Sequence, residues 1–132
     1  LEAQTRLVTD AIFFRGEAAL PDGGIEGAPA FKIAFKANAK RDAAGRSLKD
    51  FHLLDRLFKY RCSYLVYTPG FTRMPEPLRG RVLPSILRTL TGRDPENRQA
   101  HLRQTERRAI LEILASTLPE LPGEWREAAG RK

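Results

Sequence analysis

Residues 46–77 read RSLKDFHLLDRLFKYRCSYLVYTPGFTRMPEP, and the prediction of the fold depends mainly on this stretch. It holds three of the seven phenylalanines, all three tyrosines, the only cysteine and the only methionine. Ser47 followed three residues later by Asp50 resembles a capping box with Asp in place of Glu, which predicts that a helix begins there. From Leu54 onward the apolar residues recur at helical spacing, so the stretch is predicted to place helices in the core.

Arg61 disturbs this pattern, because a continuous helix would place its charge on the apolar face. Either its guanidinium finds a buried carboxylate, or the chain breaks near residue 60 and a new element starts. A strand from Tyr60 to Thr68 is a competing interpretation, since β-branched and aromatic residues are dense there. We favour two helical pieces with the tyrosines in one narrow arc beside the core. The candidate residues of an interaction site or structural hinge are Tyr60, Arg61, Cys62, Tyr64 and Tyr67.

The chain before this stretch predicts two helices separated by a loop. Residues 2–15 are predicted to form an amphipathic helix, whose apolar face holds Ala3, Leu7, Ala11 and Phe14 with Val8 and Ile12 beside them. Residues 16–29 hold four of the ten glycines and are predicted to form a loop. A short helix is then predicted to start at Pro29, with Lys40 on its solvent-facing row.

The chain after this stretch predicts two further helices and a tail. Residues 76–91 carry leucine, valine and isoleucine at helical spacing, with Pro84 predicting a kink and Gly92 a stop. Thr105 is predicted to cap a core helix over residues 106–118, and residues 126–132 are expected to fray. We therefore predict a single all-α domain, an irregular bundle of five or six short helices with Gly/Pro-rich loops. Its parts are N-terminal helices and a loop (1–45), a core segment (46–125) and a frayed tail (126–132).

The composition sets limits on the class of protein. With 42% hydrophobic and 30% charged residues, the 132-residue chain is typical of a folded globular domain with one core. The net charge of +7 permits attraction to acidic proteins, nucleic acid or anionic lipid without choosing among them. No apolar run approaches the ~20 residues that span a bilayer, so no transmembrane segment is expected.

Signals for catalysis, metals and cofactors are weak. Cys62 could act as a nucleophile with His52 or His101 as base, but a lone cysteine among apolar residues is more often a small buried hydrophobe. Neither HExxH nor CxxCH is present, and a single cysteine excludes an internal disulfide. Asp50 and Asp55 would point about 140° apart on a helix, which does not suit a shared substrate. We expect no catalytic residues, no metal site and no cofactor.

Two longer runs carry a resemblance: GRSLKDFHLLDRLFKYRCSYLVYTPGF, and HLRQTERRAILEILASTLPELPGEW near the C-terminus. Together they resemble the C-terminal region of uncharacterised exported bacterial proteins, over about residues 45–125. The resemblance implies a periplasmic or exported location and companionship with c-type cytochromes, but no reaction. Proline commonly stands in that pattern where this chain has Arg61, which would start a helix at residue 61, with Cys62 in its first turn.

The sequence thus predicts a non-enzymatic helical accessory or interaction domain of an exported protein. Its expected partner is an acidic protein, such as a subunit of an electron-transfer assembly, or a larger complex. The alternative is a basic nucleic-acid-binding domain, because the run FKYRCSYLVY mixes basic residues with aromatic rings on which bases can stack. A cytoplasmic location is the alternative to export.

Overall fold

The structure, a computed structural model, describes residues 2–15, 39–50, 59–118 and 121–130. Within these ranges it contains five α-helices and one 3-10 helix, and no strand. The elements in chain order are α1 (Glu2–Ile12), the 3-10 helix (Tyr64–Tyr67), α2 (Pro69–Thr72), α3 (Arg79–Leu90), α4 (Gln104–Thr117) and α5 (Gly123–Gly130). The predicted all-α bundle of short helices is confirmed, and the alternative of a strand from Tyr60 to Thr68 is wrong.

The helices pack one against the next. α1 lies against α3, α3 against α4 and α4 against α5, while the 3-10 helix packs on α2. The predicted core helix is α4, which buries Ile110, Leu111, Ile113 and Leu114. No helix within the described ranges is both long enough and apolar enough to cross a membrane.

The buried face of α1 differs from the predicted one. Ala3, Leu7 and Ala11 are exposed, and Leu7 retains 71% of its accessible surface. The face toward α3 instead contains Thr5 and Thr9. The Thr9 hydroxyl donates to the Thr5 carbonyl at 2.8 Å, and its Oγ1 lies 3.1 Å from the Oγ of Ser85 on α3. Satisfied hydroxyls can be buried at little cost, so threonine serves here as a core residue.

The later helices follow the prediction with shifted ends. Gly92 has a φ of 72° and ends α3, as the stop signal predicted. The N-cap of α4 is Arg103, not Thr105, and no side chain caps that helix. Residues 126–130, predicted to fray, belong to α5, because burial of Trp125 and Ala128 holds this helix against α4.

The segment around Tyr60 needs the largest correction. The hydrogen bonds of the predicted cap are present, since the Ser47 amide donates to Asp50 and the Lys49 amide donates to the Ser47 hydroxyl. They close a turn over residues 47–50, however, so the prediction that a helix begins at Ser47 is wrong. Residues 51–58 lie outside the described ranges, as do residues 16–38 with their predicted loop and most of the second helix. Residues 59–63 are not helical, so the predicted break is confirmed. The new element is a 3-10 helix capped by Ser63, and Cys62 therefore precedes it and is not in its first turn.

Candidate interaction site around the tyrosine segment

Arg61 is anchored by a carboxylate from α4. Its Nη2 lies 2.7 Å from Oε1 of Glu106, and its backbone amide donates to Oε2 at 2.8 Å. The same Nη2 donates to the carbonyl of His101 at 2.7 Å. The two side chains retain only 16% and 9% of their accessible surface, for Arg61 and Glu106 respectively. Both explanations offered for the position of Arg61 therefore hold: its guanidinium pairs with a buried carboxylate, and the chain is not helical at residue 61.

This ion pair belongs to a junction of three parts of the chain. His101 Nε2 lies 2.7 Å from the carbonyl oxygen of Phe13, just after α1. The amide of Ser63 donates to the carbonyl of Ile12 at 2.7 Å. The end of α1, the segment before the 3-10 helix and the start of α4 are therefore held together by hydrogen bonds. Residues 60–63 are a fixed structural junction in this arrangement.

Cys62 lies inside this junction and is fully buried. Burial raises the pKa of its thiol, which is the opposite of the shift that activates a nucleophilic cysteine. The ring of His101 is engaged by Phe13, and His52 lies outside the described residues. No group of three or more His, Cys, Asp or Glu side chains that could hold a metal occurs in the described part of the chain.

The 3-10 helix gives three different faces to its side chains. With three residues per turn, Tyr64 and Tyr67 lie one above the other, while Val66 points into the core. Leu65 projects outward and retains 55% of its accessible surface. Exposed leucine is ordinary when isolated, but here it lies beside two partly exposed tyrosine rings.

Tyr67 is fixed by a hydrogen bond to α4. Its hydroxyl lies 2.6 Å from Oγ1 of Thr117. Because the Thr117 hydroxyl already donates to the carbonyl of Ile113 at 2.7 Å, the Tyr67 hydroxyl is the donor. Burial raises the pKa of Tyr67 to about 12, and this effect outweighs the opposite effect of the Thr117 hydrogen bond. The ring of Tyr67 is therefore held rigidly at the edge of the core.

Each tyrosine ring has a lysine ammonium close to it. Nζ of Lys40 lies 5.8 Å from the ring centre of Tyr67, and Nζ of Lys49 lies 5.3 Å from that of Tyr64. Lys59 lies 5.5 Å from the buried ring of Tyr60 in the same way. These distances are within the ~6 Å over which a cation is attracted to an aromatic face. Each of these rings thus has a positive charge close to it.

We call the set Lys40, Lys49, Tyr64, Leu65 and Tyr67 the lysine–tyrosine surface. Two acidic residues of the neighbouring loop pair with arginines. Asp42 lies 2.7 Å from Arg46, and Asp50 lies 3.2 Å from Arg41. The surface combines an exposed apolar side chain with two lysines near tyrosine rings.

The chain matches no family model, no curated protein and no solved structure. The description of the site consequently rests on its geometry alone.

The structure brings the five predicted residues together, but in two roles. Tyr60, Arg61 and Cys62 are buried or anchored in the junction, whereas Tyr64 and Tyr67 border the exposed Leu65. The sequence did not identify Glu106 or Thr117 as their partners. Glu106 lies in the first turn of the core helix, where acidic residues are common because they stabilise the helix N-terminus. Its position in the sequence therefore did not indicate a partner for Arg61.

Proposed function

We propose that the chain is a non-enzymatic interaction domain of an exported bacterial protein, and that it docks an acidic protein partner through the lysine–tyrosine surface. The observation that carries this proposal is the exposed Leu65, flanked by tyrosine rings that each hold a lysine. Interfaces are enriched in aromatic residues because these provide a large contact area at a low cost in conformational entropy.

Charge complementarity favours an acidic partner. The domain carries a net charge of +7, and two ammonium groups lie close to the rings of Tyr64 and Tyr67. Positive patches steer acidic partners during association and fix their orientation. The resemblance to exported proteins that accompany c-type cytochromes supports a periplasmic location and a subunit of an electron-transfer assembly as the partner.

A docking role also fits the burial of the reactive groups. The Cys62 thiol is enclosed and its pKa is raised, so it is poorly suited to nucleophilic attack. The rigid junction beneath the surface keeps the 3-10 helix in place through hydrogen bonds from Arg61 and Ser63. A fixed platform reduces the ordering cost of binding.

Nucleic-acid binding is the competing function, and the tyrosine rings argue against it. Stacking platforms present open aromatic faces to successive bases. Here Tyr60 is buried, and Lys40 and Lys49 lie near the rings of Tyr67 and Tyr64. The same surface is better suited to a protein partner whose carboxylates contact the lysines and whose apolar side chain packs on Leu65.

The test measures fluorescence anisotropy of a labelled peptide that combines glutamates with leucines, added to the purified chain. We expect binding that weakens as the salt concentration rises from about 50 to 200 mM, because screening shortens the range of the attraction. The same peptide with glutamine at each glutamate position should bind much more weakly. A single-stranded DNA oligonucleotide is tested in parallel at ~150 mM salt, where a retained complex would favour the competing function.

Matched triple variants identify the surface. Changing Lys40→Gln, Lys49→Gln and Leu65→Ser should abolish peptide binding. The control changes two exposed arginines and a second exposed leucine, Arg81→Gln, Arg103→Gln and Leu7→Ser, and so removes the same charge and the same type of apolar side chain. Equal loss of binding in both triple variants would show that only net charge matters, and the proposed surface would be rejected.

A further inference from the structure

A second feature lies at the opposite end of α4 from Thr117. The end of α3, the connection from residue 91 to 103, the start of α4 and part of α5 enclose a cleft of about 770 Å³. Its volume falls within the range of ligand pockets. Of the described residues that line this cleft, three are arginines, Arg93, Arg107 and Arg108, and none is acidic. We call it the arginine cleft.

Arg107 is a buried cation that only neutral oxygens contact. Its guanidinium donates to the carbonyls of Leu102, Thr89 and Gln99 at 3.1, 2.9 and 2.7 Å, and to Oδ1 of Asn97 at 3.1 Å. No carboxylate pairs with it among the described residues. Carbonyl dipoles, including that of Thr89 in the last turn of α3, satisfy its donors but supply no full negative charge. A positive potential therefore remains in the cleft.

Arg93 adds to this potential, whereas Arg108 is paired. Arg108 lies 3.4 Å from Glu112, which also contacts Arg46, and Arg46 pairs in turn with Asp42. Arg93 is exposed, and its side chain has no hydrogen bond or ion pair within the described part of the chain. The planar guanidinium of Arg93 is thus available for bidentate contact with an oxyanion.

Gln104 completes the set of donors. It is the first residue of α4, is exposed, and lines the cleft without a side-chain hydrogen bond among the described residues. Leu90, Leu102 and Leu111 also line the cleft and give it apolar surface, although most of each side chain is buried. The cleft therefore combines two available donor groups, uncompensated positive charge and an apolar surface.

We propose that the arginine cleft binds a small organic oxyanion, a phosphate monoester or a carboxylate, whose apolar group rests on the leucines. Arg93 and Gln104 contact the anion, and Arg107 attracts it through its buried charge. This site uses none of the residues of the lysine–tyrosine surface. Failure of either proposal would therefore leave the other one intact.

The test uses the whole chain labelled with ¹⁵N, titrated with phenyl phosphate and, in separate arms, with phenylacetate, inorganic phosphate and benzyl alcohol. We expect saturable amide shifts in residues 91–93 and 104–108 with phenyl phosphate, phenylacetate or both, which also tells the two oxyanions apart. Inorganic phosphate should bind more weakly and benzyl alcohol not at all. If neither phenyl phosphate nor phenylacetate causes saturable shifts at concentrations up to about 10 mM, the proposal is wrong, because a dissociation constant above that value is too weak for a specific site.

Variants separate a site from general attraction by charge. Arg93→Gln should weaken binding of the anion about tenfold, because it removes a charge-assisted hydrogen bond. Arg81→Gln removes the same charge from an exposed position on α3 that does not line the cleft, and should change the affinity less than about twofold. Equal weakening by both variants would refute a specific site.

A third variant separates loss of anion binding from loss of stability. Gln104→Glu places a carboxylate at the first position of α4, where negative charge stabilises a helix. We therefore expect a thermal midpoint at least as high as that of the wild type together with loss of anion binding. Unchanged affinity in this variant would show that the anion does not enter the cleft.

Discussion

Replacing Glu106 by glutamine tests whether the junction depends on a buried ion pair. In Glu106→Gln the side chain keeps its shape and one acceptor oxygen, but the negative charge beside Arg61 is lost. The wild-type carboxylate accepts from the backbone amide, Nε and Nη2 of Arg61. An amide cannot accept all of these bonds, because its nitrogen is a donor. The variant therefore removes the negative charge of Glu106 from a partly buried guanidinium.

The expected loss of stability in Glu106→Gln follows from the burial of the Arg61–Glu106 ion pair. With 16% and 9% of their side-chain surfaces accessible, Arg61 and Glu106 belong with buried ion pairs, for which removal of one partner costs about 3–5 kcal/mol. Because the glutamine oxygen retains some hydrogen bonding, we expect a loss of about 3 kcal/mol in the free energy of unfolding. The exposed pair of Arg6 and Glu96, at 43% and 51%, should contribute less than about 1 kcal/mol.

Urea unfolding at pH 7 measures these losses, with fluorescence of Trp125, the only tryptophan, and far-ultraviolet circular dichroism as probes. Glu96→Gln is the matched control. In the double variant Arg61→Gln/Glu106→Gln no uncompensated charge remains, so its cost should fall below the sum of the two single costs by about 1–2 kcal/mol. A cost of Glu106→Gln similar to that of Glu96→Gln, or strictly additive costs, would refute the buried-pair interpretation.

Three further predictions concern single side chains. Tyr67→Phe removes the hydrogen bond to Thr117 and should cost about 1 kcal/mol near pH 8. Because the folded pKa of Tyr67, about 12, exceeds its ordinary value of 10.0, its stabilising effect is complete below pH 10 and is lost as the pH rises toward 12. Wild-type urea midpoints should therefore fall more steeply than those of Tyr67→Phe between pH 10 and 12; parallel curves would contradict this. Cys62 should react with a thiol reagent in native buffer far more slowly than in 6 M urea, and equal rates would show that the junction opens readily. Burial pushes the pKa of Asp42 upward, but hydrogen bonds from the Arg46 amide and side chain and from the Ala44 amide outweigh it, so the net pKa is lowered. Asp42→Asn should thus cost about 1 kcal/mol at pH 7, and the difference should disappear as the pH falls below 3.8 through the folded pKa. A pH-independent difference between the two proteins would show that the charge of Asp42 does not contribute.

The helices richest in aliphatic residues were predicted well from sequence. α3 and α4 bury isoleucine, leucine and valine at helical spacing, and each ends within two residues of its predicted end. The face of α1 was missed because threonine counts as polar in such patterns. Thr9 is buried all the same, since its hydroxyl is satisfied by Thr5 on the same helix and by Ser85 on α3.

The candidate site was predicted only in part, because its partners are distant in sequence. The misplaced charge of Arg61 indicated that a carboxylate was needed, but 16 acidic residues could have supplied it. The one that does is 45 positions away. The 3-10 helix had a local signal that was overlooked: Ser63 is a good N-cap, and Pro69 follows too soon for a longer α-helix.

The contacts of α1 have a consequence for how the chain folds as it is made. Its Asp10 pairs with Arg98, 88 positions later, and its Thr9 meets Ser85, 76 positions later. At about 5–20 residues per second on the ribosome, roughly 4–18 s pass between synthesis of Asp10 and that of Arg98. The threonine face of α1 has no docking surface until Ser85 on α3 has been made, about 4–15 s after Thr9 at the same rate. A bundle with such distant pairings should fold more slowly than helical proteins whose contacts are local.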